Sequence, residues 1–193
     1  MNGPERIRQA VAPVLEAFRS LGIRYCLTGS TASIHYGVPR STMDVDLVAE
    51  IPPGKVRPLC EVLGGSFCVS EDAVREAVRR RASFNVIHTD TAFKIDVIVL
   101  RDEPYEREAF ARRRREEVVP LGPSFVPAPE DALLSKILWY EKGGRVSDRQ
   151  WTDVLGIVKA QGSRLDLEYL QRWARELGVE ALLASALQSP EAP

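Results

Sequence analysis

The chain predicts a mixed α/β (α+β) protein: a small mixed β-sheet flanked by helices, followed by a C-terminal helical subdomain. Three observations carry this. Asp44-Val45-Asp46-Leu47-Val48 and Phe93-Lys94-Ile95-Asp96-Val97-Ile98-Val99-Leu100 read as strands in which acids alternate with apolar residues. Helical apolar spacing surrounds them. From Pro129 onward the pattern is helical throughout.

Ile7, Val11, Val14, Leu15, Phe18 and Leu21 fall at helical spacing between Glu5 and Leu21, with Gly22 as the stop. Pro13 lies inside that pattern and predicts a kink or a break. Ile23 to Leu27 reads as a strand ending in Thr28-Gly29-Ser30, and a short helix from about Thr31 to Tyr36 stops at Gly37. Asp44 to Ala49 is the next strand, closed by Pro52-Pro53-Gly54. A helix over Val56 to Leu63, a short strand over Phe67 to Val69, and a helix over Glu71 to Arg81 with Ser70 as N-cap follow. Phe84 to His88 and Ala92 to Leu100 form a hairpin around Thr89-Asp90-Thr91. Tyr105 to Arg115 reads as helix, with short extended pieces at Val118 to Leu121 and Phe125 to Val126. The helical half holds Pro129 to Glu141, Ser147 to Ala160, Asp166 to Leu177 and Val179 to Leu187, and the tail Gln188 to Pro193 is expected to fray. The chain thus divides into residues 1–127, an α/β core, and 128–193, a helical subdomain.

A length of 193 residues suffices for one sizeable core plus a helical appendage. The net charge of -1 gives no global drive toward nucleic acid or membrane. Of the 26 Lys and Arg, five are Lys and 21 are Arg, with runs at Arg79-Arg80-Arg81 and Arg112-Arg113-Arg114-Arg115 that read first as solvated helix ends and otherwise as polyanion contacts. Cys26, Cys60 and Cys68 are odd in number and lack metal spacing; Cys26 reads as a small core residue. The N-terminus has no basic segment followed by an apolar stretch, and no run of about 18 apolar residues exists, so a cytoplasmic protein without a membrane span is expected.

Three carboxylates in apolar strands are costly unless a cation neutralises them. A divalent metal is the simplest such cation, and a Gly-Ser turn at a helix start suggests phosphate. Mg²⁺ takes oxygen ligands and retains waters, so Asp44 and Asp46 on one strand face, completed by Asp96, suffice to hold it. Two such ions about 3.5–4 Å apart would serve a phosphoryl or nucleotidyl transfer, with Asp96 as general base. Taken singly these features are unspecific: a Gly-Ser turn is common, an Asp-x-Asp is often a strand edge, and a lone strand Asp can pair with an Arg. It is their order along the chain that carries the reading.

The pattern resembles the nucleotidyltransferase superfold typified by DNA polymerase beta: an apolar residue, Gly and Gly/Ser, a short helix, Asp-apolar-Asp-apolar, then a third Asp. Leu27-Gly29-Ser30, Asp44-Val45-Asp46-Leu47 and Asp96 match it. More narrowly, Gly29-Ser30-x-Ala32-x-x-x-Tyr36-Gly37-x-x-Arg40-x-Thr42-x-Asp44-x-Asp46 is similar to small bacterial proteins related to AbiEii-type toxins, as are Pro129-Glu130-Asp131, Lys136 and Asp148-Arg149-x-x-x-Asp153. The resemblance spans roughly residues 10 to 160, and many members carry a second Gly where this chain has Ser30. It implies Mg²⁺- (or Mn²⁺-) dependent transfer of a nucleoside monophosphate from an NTP to a hydroxyl of tRNA, a protein or a small molecule. It also implies metal ligation and catalysis by Asp44, Asp46 and Asp96, and nucleotide binding by Gly29, Ser30, Arg40, Thr42 and Lys136. An antitoxin partner follows from the same group.

Several alternatives stay open in the sequence. Arg40 either grips a triphosphate oxygen or bridges to a carboxylate. Lys136 is a triphosphate contact or a snorkelling surface lysine. Lys94 shares a face with Asp96 and either reaches phosphate or pairs with that acid. His35 and His88 read as structural. Trp139, Tyr140 and Trp151 read mainly as core, with a base-stacking role as the alternative. The competing function is a nucleotide-binding or regulatory module of the same fold without turnover.

Overall fold

The computed structural model describes residues 3–37 and 39–189; the predicted fraying of the tail beyond Ser189 lies outside them. The chain forms two compact units. One takes the residues up to Thr28 together with Ser41–Val126; the other takes Gly29–Arg40 and the residues from Pro127 onward.

The first unit is built on a five-stranded sheet in the order β1-β2-β5-β4-β3, with β1 Arg24–Thr28, β2 Asp44–Glu50, β3 Phe67–Cys68, β4 Ser83–His88 and β5 Lys94–Val99. Only β2 and β5 pair in parallel; the other neighbours are antiparallel. Alternation in β2, β4 and β5 buries one face of the sheet along its length. Leu27, Leu47, Val97 and Phe84 align across four strands, each at most 5% exposed. On this side lie α1 (Gly3–Ser20), α3 (Val56–Leu63) and α4 (Glu71–Arg80), whose inward residues include Val14, Leu15, Phe18, Leu59, Leu63 and Val74. The Ser70 hydroxyl accepts the Ala73 N–H at the start of α4, as an N-cap should.

Of the kink or break expected at Pro13, the break does not occur: α1 runs through it as one helix. Pro13 sits on the exposed side, and Gln9, whose carbonyl loses its i+4 donor, is exposed as well, so the lost bond falls on the solvent side of the helix. The predicted helix over Tyr105 to Arg115 also needs correction. α5 ends at Ala111 (Pro104–Ala111), and Arg114–Val118 is a strand, β6, paired antiparallel with β7 (Gly122–Val126). The four arginines therefore split. Arg113 packs over the Phe110 and Phe125 rings at 4.4 and 5.3 Å, and burial lowers its pKa, while Arg114 and Arg115 are exposed.

The second unit contains α2 (Gly29–Tyr36), α6 (Pro129–Lys142), α7 (Asp148–Gln161), α8 (Leu167–Glu176) and α9 (Glu180–Leu187). Ser147 and Asp166 cap α7 and α8 by accepting the N–H groups of Gln150 and Tyr169. α2 is tied to the helices by side chains: the Tyr36 hydroxyl donates to the Pro127 carbonyl (2.8 Å) and the Gln161 amide donates to the Tyr36 carbonyl (2.8 Å). No helix among the described residues is long and apolar enough to cross a membrane.

Candidate active site

In the first unit, the face opposite the core carries the acids. Thr28, Asp46, Asp96 and Asn85 align across β1, β2, β5 and β4, and Asp44 lies level with Lys94. Period two therefore puts all three predicted carboxylates on one side of the sheet, with Asp46 directly beside Asp96. Phe110 of α5 packs with Cys26, Leu100 and Val48 over the far end of this face, so the acids sit at its open end. This corrects the buried setting expected from the apolar neighbours: Asp44, Asp46 and Asp96 are half-buried, because the apolar residues between them point the other way.

Two contacts shape the acids. The Thr42 hydroxyl lies 3.1 Å from Asp44 Oδ1 and 3.0 Å from the Asp44 carbonyl, which pins the start of β2. Lys94 Nζ lies 2.7 Å from Asp96 Oδ2. The hydrogen bond to Asp96 is the main reason the Lys94 pKa is raised; burial opposes it, and the charges of Asp44 and Asp46 add to it. Among the described residues, no three His, Cys, Asp or Glu side chains are drawn together closely enough to hold a metal ion. The three acids thus share a face while the ammonium of Lys94 occupies one of them. As a donor set, oxygen-only and gathered on one rigid sheet face, they fit a hard divalent cation.

The second unit holds the remaining predicted residues. Gly29 takes a left-handed φ of +58° at the first position of α2, which a side chain would disfavour, and Ser30 follows it. Arg40 grips Asp153 through two hydrogen bonds, Nε to Oδ1 at 2.9 Å and Nη2 to Oδ2 at 2.8 Å, and Nη2 also donates to Ser30 Oγ at 3.0 Å. Lys136 Nζ lies 2.9 Å from Asp153 Oδ2, and the Ser33 hydroxyl donates to the same oxygen at 3.1 Å. Burial alone would raise the Asp153 pKa, but the hydrogen bonds from Arg40 and Lys136 outweigh it and hold the carboxyl at about 2. Lys136 is 5% exposed, so it is no snorkelling surface lysine. Arg40 makes the bridge to a carboxylate that its sequence left open, while keeping about a quarter of its side chain (23%) in solvent.

Asp153, which the sequence offers only as part of the helical-half resemblance with no role assigned, is the centre of this network. Its signal was a carboxylate on the apolar stripe of α7 with Val154, Ile157 and Val158, a core position that demands cationic partners. The remaining candidates sort simply. The buried His88 Nδ1 lies 2.9 Å from the Thr91 hydroxyl, a structural role. Tyr140 and Trp151 stack at 5.1 Å, half-buried. Trp139 is 55% exposed with Lys142 Nζ 5.7 Å from its ring, which corrects its assignment to the core.

No family model and no curated protein matches the chain. Solved structures do. The solution structure of the antibiotic-resistance factor ANT(2'')-Ia superposes with a TM-score of 0.56 at 18% identity, covering 94% of this chain and 97% of that one. The crystal structure of ANT(2'')-Ia with adenylyl-2''-tobramycin gives 0.56 at 16% identity over 87% and 96%. An antigenic nucleotidyltransferase-like protein from Paracoccidioides brasiliensis gives 0.53 at 19% identity over 95% and 93%. The mixed sheet, its flanking helices and the helical unit that follows make this the nucleotidyltransferase fold.

Proposed function

We propose that this protein is a metal-dependent nucleotidyltransferase that moves a nucleoside monophosphate from an NTP to a hydroxyl acceptor. One observation carries the reading: the parallel register of β2 and β5 sets Asp46 level with Asp96 and keeps Asp44 on the same open face. In this reading Asp44 and Asp46 hold Mg²⁺ or Mn²⁺, with Asp96 as the third oxygen ligand available. The bound ion would polarise the α-phosphate and neutralise the departing pyrophosphate. Asp96 takes the proton of the acceptor hydroxyl; the hydroxyl oxygen bonds to the α-phosphorus as the bond to pyrophosphate breaks. Thr42 fixes the Asp44 carboxylate. The N–H groups that open α2 at Gly29 and Ser30 suit phosphate oxygens. Arg40, still partly in solvent, grips phosphate, and Lys136, being buried, acts through Asp153 and Arg40 on Ser30.

The likeness to ANT(2'')-Ia, solved with an adenylylated tobramycin, supports a small polyhydroxylated acceptor; the AbiEii resemblance supports tRNA or protein, a toxin role in the cytoplasm, and an antitoxin partner. The Lys94–Asp96 pair favours the second reading, a nucleotide-binding module without turnover, because the ammonium already neutralises the proposed base. The test is incubation of the purified protein with each α-³²P-labelled NTP, Mg²⁺ or Mn²⁺, and either total tRNA or tobramycin. Label transfer that disappears in Asp44→Asn and Asp96→Asn supports the enzyme, transfer that survives rejects these residues, and nucleotide binding without transfer supports the module.

A further inference from the structure

We propose that Lys94 takes the place of a second divalent cation at Asp96, so that the site holds one metal ion with its nucleotide instead of two. The inference deepens the reading above and rests on it. Lys94 and Asp96 are two residues apart on β5 and share the open face, with Nζ 2.7 Å from Oδ2. The register sets Lys94 level with Asp44, so the ammonium faces the whole acidic group and not Asp96 alone.

The charges agree with this arrangement. Counting the protein's own groups, before the triphosphate adds its charge, three carboxylates carry three negative charges, which one divalent ion and one ammonium match. A second divalent ion at Asp96 would have to settle within contact distance of the Lys94 ammonium or displace it, and like charges that close repel strongly. Asp44 and Asp46 are then the pair on the ion that accompanies the triphosphate. Lys94 acts as a positioning residue, holding the Asp96 carboxylate in a fixed orientation toward the acceptor side.

Counting bound Mn²⁺ tests this without any turnover. The full chain is equilibrated with Mn²⁺ and the α,β-methylene analogue of each NTP, and protein-bound Mn²⁺ is read from the loss of the free-ion electron paramagnetic resonance signal against nucleotide-only controls. The expected result is one ion per chain in the wild type, one in Lys94→Arg, and two in Lys94→Ala, with thermal melts confirming that each variant is folded. Two ions in the wild type, or one in a folded Lys94→Ala, overturns the inference while leaving the nucleotidyltransferase reading in place. No nucleotide-dependent ion in the wild type with any analogue overturns both.

Discussion

Asp153 is a charged hub of the second unit. Arg40, Lys136 and Ser33 all converge on its two oxygens. Removing the charge leaves two cations facing a neutral group in a poorly solvated place. Asp153→Asn is therefore expected to cost about 3–5 kcal/mol in urea unfolding, far more than loss of the exposed Arg57–Glu61 pair, whose attraction solvent screens. The same carboxylate sets an acid limit. Its folded pKa of about 2 lies below the ordinary 3.8, so its contribution is complete above pH 4 and lost as pH falls through 3.8 toward 2. That contribution is about 2 kcal/mol. Unfolding free energies measured from pH 5 to pH 2 should decline accordingly in the wild type, and the part of the decline owed to this group should vanish in Asp153→Asn. An unchanged slope would show that the network is not ionic.

At the scale of elements, local signals and distant ones divide what could be read from the chain. α3 over Val56–Leu63 and the Ser70 cap of α4 match expectation because apolar spacing and capping act within a few residues. The acidic trio was legible for a similar reason, since period two fixes which face a strand residue takes. β6 was not legible: Arg114-Arg115-Glu116-Glu117 has no apolar rhythm, and it is a strand only because β7 pairs with it. The pairing of Asp153 was not legible because Arg40 lies 113 residues away in sequence. Two substitutions probe elements directly. Pro13→Ala restores an N–H and a bond to the exposed Gln9 carbonyl within α1, and should raise stability by about 1–3 kcal/mol, seen as a higher melting temperature. Gly37→Ala should do the reverse. A Cβ there would lie 2.8 Å from the Ser33 carbonyl oxygen and 3.0 Å from the Ile157 nitrogen, both backbone atoms that cannot swing aside. A loss of about 2 kcal/mol or more is expected; a neutral result would mean that α2 does not pack this tightly against α7.

For the whole molecule, the fold and the chemistry rest on different observations. The fold follows from the mixed sheet, the helices around it and the solved structures that share them. The proposed chemistry rests on three acids of one sheet face acting together as metal ligands and base. The most direct measurement is transfer of α-³²P label from NTP to acceptor in the presence of Mn²⁺, compared among wild type, Asp44→Asn, Asp46→Asn and Asp96→Asn. The account predicts transfer in the wild type and a fall of about 100-fold or more in each variant, as loss of a metal ligand or general base requires. Transfer at wild-type rate in any folded variant would contradict it.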